Sequence, residues 1–158
     1  VFMRRSALLQ TNGLDATFHF LLDHLLWIQI AKQGKILHVN QTWAAARYHS
    51  EAKNVSKAAE FGREAFRILE TIAQDKDLAK ALLSVDRRAH ASAFRVDARY
   101  LLDGGYPAKA LQQWFLALFI HPPTALGRMN IFVSSLLNLL GLSFMRRKIL
   151  EIRGKRHQ

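Results

Sequence analysis

Between residues 18 and 31 apolar side chains dominate the chain, and Phe20, Trp27 and Ala31, with Leu22, Leu26 and Ile30, recur at helical intervals. The pattern predicts a buried helix of about four turns, with Leu26 and Trp27 in its core. The Asn12-Gly13 turn and Leu14-Asp15 precede it, and Gly34 is placed to cap its end. Two short stretches follow, 35–40 and 42–48, with β-branched or aromatic residues at their ends and the polar Asn40-Gln41 between them. They read as two strands, or a strand and an extended segment.

From about Asn54 the period changes to 3.6. Ala58, Phe61, Ala65, Ile68, Leu69 and Ile72 form one stripe, while Lys57, Arg63, Glu64, Arg67 and Glu70 fall elsewhere on an amphipathic helix. Asp75-Lys76-Asp77 breaks it, and 78–85 reads as a shorter helix. Phe94, Ala98, Leu101 and Leu102 then mark the apolar side of another helix, closed by Asp103-Gly104-Gly105. Pro107 can open the next helix, whose wide apolar face is Ala110, Leu111, Trp114, Phe115 and Leu118, and Pro122-Pro123 stops it. The Gly104-Gly105 turn is faintly like the hairpin of a tetratricopeptide repeat, but one hairpin makes no repeat scaffold. Residues 129–145 carry no charge, yet Asn130, Ser134, Ser135, Asn138, Gly141 and Ser143 dilute them. A helix lying on a membrane surface or docking under the fold suits them better than a span.

Composition narrows the classes. The 158 residues are 50% hydrophobic and 22% charged, which argues against wholesale disorder. With no cysteine, a disulfide framework, a thiolate zinc site, an iron–sulfur cluster and a cysteine nucleophile are all excluded. The net charge of +11 is uneven, at +3 for residues 1–50, +2 for 51–110 and +6 for 111–158. A basic end beside an apolar stretch attracts anionic lipid, and no recognisable module supports nucleic acid as the partner. Val1-Phe2-Met3-Arg4-Arg5 has neither an initiator methionine at position 1 nor the apolar core of a secretory signal, a start expected inside a longer protein.

The densest group of chemically active side chains is His19, Asp23 and His24 on or beside the first long helix, with Arg47, His49 and Lys53 after the second extended stretch. Four residues apart, His19 and Asp23 share a helix face. Such a pair can accept a proton or help to hold a metal, but on spacing alone it is usually a solvated or capping pair.

Read as a string, Phe2-x-Arg4-Arg5-Ser6-Ala7-Leu8, then Gly13-Leu14-Asp15, then His19-Phe20-x-x-Asp23-x-x-Leu26-Trp27, and finally Arg47-x-His49 with Lys53, resembles the second half of the catalytic domain of family 2 glycosyltransferases. These are inverting enzymes of the GT-A fold that take sugar from a nucleotide-sugar. The resemblance covers about residues 1–54. It implies that Asp23 deprotonates the acceptor hydroxyl, that His49 lies near a divalent metal (magnesium or manganese) and the diphosphate, and that Arg47, His49 and Lys53 line the nucleotide-sugar site. Leu25 and Gln29 depart from it, since a second acid and an arginine are usual there. The N-terminal βαβ half and its Asp-x-Asp metal motif have no counterpart in this sequence.

The resemblance over residues 1–54, joined to the helical pattern of the rest, gives the expectation of an α+β, mostly α chain in three parts. Residues 1–54 are the C-terminal remnant of a GT-A domain, a helix plus two short strands. Residues 55–127 are a bundle of amphipathic helices, and 128–158 are an apolar helix with a basic tail. The resemblance implies an inverting glycosyltransferase, inactive when reduced to this piece, and the basic, apolar C-terminus adds the expectation of a glycan or lipid-linked acceptor in cell-envelope polysaccharide synthesis at the cytoplasmic face of the membrane. The competing expectation is a non-catalytic helical interaction or membrane-docking module with a degenerate glycosyltransferase segment, which Leu25 and Gln29 favour.

Overall fold

The computed structural model of the chain describes residues 2–44 and 57–142. Among them are seven helices and no strand. They are α1 (Arg5–Leu9), α2 (Leu22–Gln33), α3 (Ala58–Gln74), α4 (Lys76–Asp103), α5 (Pro107–Ile120), α6 (Pro122–Leu126) and α7 (Met129–Leu139). The α+β expectation is thus corrected to an all-helical fold. Residues 35–40 form no ladder and stand in solvent, with Ile36 70% and Leu37 83% exposed. β propensity records how well a side chain suits a pleated, half-buried surface, and among the described residues this segment has neither a neighbouring strand nor a covered face. Of the second expected strand, 42–44 are likewise irregular and 45–48 lie outside the described residues.

The helix boundaries follow from local chemistry. Asp75 ends α3 and caps α4, its carboxylate accepting from the Asp77 and Leu78 N–H groups. The expected end of a short helix at Val85 appears as a kink, where φ −130° and ψ 16° interrupt the 28-residue α4. After Asp103 the chain closes in a Schellman turn: Tyr106 N–H donates to Leu101 O, Gly105 N–H donates to Leu102 O, and Gly105 takes φ 84°. Pro107 then opens α5, and Pro122 opens α6 directly after α5 stops. A second Schellman turn, centred on Gly141 at φ 73°, ends α7 after 11 residues. At about 1.5 Å per residue that is roughly half the thickness of a bilayer core. No helix among the described residues is long and apolar enough to cross a membrane.

Two apolar clusters hold the helices together. Ala91, Ala98 and Leu102 of α4 meet Ala110, Trp114 and Ala117 of α5, Ala125 of α6 and Ile131 of α7. The Trp114 indole N–H donates to Ala125 O at 3.2 Å, which leaves its polar atom satisfied inside the core. In the second cluster Phe18, Leu21 and Leu25 pack on Phe61, Ile68 and Ile72 of α3, and Tyr100 of α4 stacks on Phe61 at 4.5 Å. α3 and α4 approach closely at Gly62, where an added Cβ would come within 2.5 Å of the Asp97 Cα. Only glycine leaves room for that crossing.

Candidate functional site

Asp23 lies in the first turn of α2, where a carboxylate is favoured by the helix dipole. What fixes this end of α2 is Glu64, reaching across from α3. Its carboxylate accepts from the backbone N–H groups of His19 at 2.6 Å, Phe20 at 2.8 Å and Leu21 at 2.7 Å. Three donors ahead of a helix that has no side-chain cap of its own are satisfied by one buried acid. Burial is the largest single influence on Glu64 and pushes its pKa up. The three backbone donations and the nearby Arg67 outweigh it and hold the carboxyl below its ordinary value. Arg67 also donates to Thr17 O at 3.1 Å and lies over the Phe18 ring at 4.5 Å, pinning the same segment from its other side.

Held in this way, the Asp23 side chain is half exposed, at 50%, and so is that of His24, at 53%. Asp23 Oδ1 accepts from the His24 N–H at 2.9 Å and meets His24 Nδ1 at 3.0 Å. Because a carboxylate oxygen accepts, Nδ1 is the donor in this pairing. The His24 ring packs on half-buried Trp27, with centroids 4.8 Å apart, which fixes its orientation. The expected pairing of Asp23 with His19 is corrected here. His19 precedes the first turn of α2, its backbone is taken up by Glu64, and His24 is the imidazole that meets Asp23. Chemically, the arrangement is an accessible carboxylate with a fixed donor partner, able to take a proton from a hydroxyl brought to it.

Beside it, a cleft of about 710 Å³ opens between α2, α3, α4 and α7. His24 lines it and Asp23 does not, although the Asp23 charge reaches the lining Tyr100. Burial is the main reason the Tyr100 phenol sits above its ordinary value. Arg99 opposes it, and Asp103 and Asp23 add to it.

Arg47, His49 and Lys53, the expected nucleotide-sugar ligands, lie outside the described residues, so only Asp23 of the expected site is placed. The described residues gather no group of three or more side chains able to hold a metal ion. Asp23 with His24 supplies two donors, too few for a divalent ion without partners from elsewhere. Glu64 is the contributor that sequence reasoning set among the polar positions. Its signal was present: three residues after Phe61 and four before Ile68, it falls on the apolar stripe of α3. No protein-family model matches the sequence, and no curated protein or solved structure matches it either.

Proposed function

We propose that this chain supplies the acceptor-activating part of an inverting glycosyltransferase that moves a sugar from a nucleotide-sugar to a glycan or lipid-linked acceptor. The observation that carries the reading is the half-exposed Asp23 carboxylate, held at the start of α2 with the His24 imidazole against it. It occupies the position that the motif string of residues 2–27 gives to the base. In the proposed step Asp23 takes the acceptor's hydroxyl proton as that oxygen attacks the anomeric carbon. The bond from the anomeric carbon to the diphosphate oxygen breaks, and the nucleoside diphosphate leaves with the electron pair. The His24 Nδ1–H keeps the Asp23 carboxylate oriented, as a second hydrogen-bonded group orients a general base. Arg47, His49 and Lys53 are proposed to neutralise the departing diphosphate, where electrostatic help is needed most. The nucleotide-binding half and its metal are proposed to come from residues beyond this sequence. The test is to express the protein that carries this chain together with its upstream sequence and screen nucleotide-sugars for nucleoside diphosphate release and an inverted product. Release that requires both halves supports the reading, and no release from any donor removes it.

A specific observation favours work at a membrane face, whether or not the chain takes part in catalysis. α5 and α7 leave apolar side chains uncovered, with Phe119 87%, Phe115 51% and Leu139 49% exposed, and Leu140 just past α7 is 71% exposed. With a net charge of +11, such a surface suits an anionic bilayer at the cytoplasmic side. Co-sedimentation with vesicles containing phosphatidylglycerol, and loss of binding on vesicles of phosphatidylcholine alone, is the expected result. Equal behaviour on the two would remove the membrane from the proposal.

A further inference from the structure

The cleft beside the candidate site has an electrostatic imbalance that the proposed chemistry does not use. Arg95 and Arg99 of α4 and Arg128, just ahead of α7, line it, and among the described residues Asp103 is the carboxylate that lines it with them. The Arg99 Nε lies 3.7 Å from an Asp103 oxygen, so one of the three positive charges is locally offset and about two remain. The Arg95 Nε is buried and donates to nothing among the described residues. A buried donor of this kind is ordinarily satisfied, and leaving it bare is unfavourable. Burial first, and then the Arg128 and Arg99 charges, pull Arg95 below the ordinary arginine value.

Other features of the cleft fit an anion. Arg128 stands at the N-cap of α7, where no side chain caps the helix and the Ile131 N–H turns back to Arg128 O, so the positive end of the helix dipole lies beside this arginine. Asn130 and Ser134, on the same helix, add an amide and a hydroxyl to the lining. Ile28 of α2 and Leu69 of α3 add apolar side chains to the lining, with His24 and Tyr100 among them. A single carboxylate would leave positive charge uncompensated, whereas a phosphate monoester carries about −1.5 to −2 at neutral pH, and guanidinium groups suit its oxygens.

We infer that the cleft between α2, α3, α4 and α7 is a binding site for a phosphoryl group, gripped by Arg95, Arg99 and Arg128 with the N-terminus of α7. The phosphoryl group belongs either to a free phosphate or to a lipid headgroup whose apolar part rests on Ile28 and Leu69. The inference stands independently of glycosyl transfer.

The experiment is isothermal titration of the 158-residue chain with inorganic phosphate and, separately, with dihexanoyl phosphatidic acid as a soluble lipid phosphate. Saturable binding of either is expected, with affinity reduced about tenfold or more by Arg95→Gln and by Arg128→Gln. Lys80→Gln, the same loss of charge at an exposed position of α4 outside the cleft, should leave it unchanged. Tighter binding of the lipid assigns the site to a headgroup, and equal affinities assign it to free phosphate. Circular dichroism checks that each variant is folded, and if Arg95→Gln is not, Arg128→Gln decides. Binding of neither probe, or binding that survives both arginine substitutions or falls equally with Lys80→Gln, overturns the inference.

Discussion

Replacing Glu64 by glutamine removes one acceptor oxygen from a site where three backbone N–H groups converge at 2.6 to 2.8 Å. Oε2 serves Phe20 and Leu21 and Oε1 serves His19, so either orientation of the amide turns an NH₂ group toward at least one N–H. The residue is only 5% exposed, which denies water easy access to the abandoned donor. A lost charge-assisted bond together with a stranded buried donor is expected to cost about 2–3 kcal/mol. With a urea slope of about 2 kcal/mol per molar, the midpoint should fall by roughly 1 M. Urea titration followed by circular dichroism at neutral pH reads this directly. The pH dependence supplies a second readout. Because the folded-state pKa of Glu64 is lowered, its contribution is fully present above the ordinary carboxyl value of 4.5 and is lost as pH falls through the lower, folded value. The wild type should therefore lose more stability on acidification below 4.5 than Glu64→Gln does. Equal midpoints at neutral pH, or parallel acid profiles, would refute the claim that this buried acid fixes the start of α2.

Two further substitutions test the packing of α3 on α4. Gly62→Ala forces a Cβ against the Asp97 backbone, 2.5 Å away, and should destabilise the fold by about 2–3 kcal/mol in the same urea titration, since the helices have to part. Asp97 is buried, and burial more than any other influence raises its carboxyl pKa, with Arg63 opposing. A raised carboxyl pKa means stability that is full below the unfolded-state value and declines as pH rises through the folded one. Asp97→Asn should accordingly raise the melting temperature at neutral pH and gain less at acid pH, as differential scanning fluorimetry across pH can check.

Much of the helical architecture can be read locally. Asp75, Pro107 and Pro122 mark boundaries because each acts on its own backbone neighbourhood, as a cap or as a fixed φ, and the stripe of Phe61, Ile68 and Ile72 faces a core because 3.6 spacing leaves it no other covered side. What escapes such reading depends on partners far away in the chain. Residues 35–40 have the composition of a strand but no second strand to pair with among the described residues, so composition alone misleads. Gly34 does end α2 where expected, but at φ −159° its backbone is extended and one that any residue can adopt, so no left-handed cap forms there. Glu64 meets His19 across 45 positions, and no periodicity announces that an acid on an apolar stripe will find three donors. Arg95 and Arg128 come to one cleft only because α5 and α6 bring α7 back beside α4. Asp23 was legible as a candidate from its surrounding motif. Its partner was not, because the start of α2 at Leu22 leaves His19 outside the helix and makes His24 the neighbouring imidazole.

Steady-state turnover of Asp23→Asn, in the protein that also carries the proposed nucleotide-binding half, decides whether this carboxylate takes a proton from an acceptor hydroxyl. Loss of a general base is expected to lower kcat by about 10²- to 10⁴-fold. The donor KM should stay close to wild type, and Asp23→Glu should recover part of the rate. An Asp23→Asn enzyme that turns over at the wild-type rate would contradict the account.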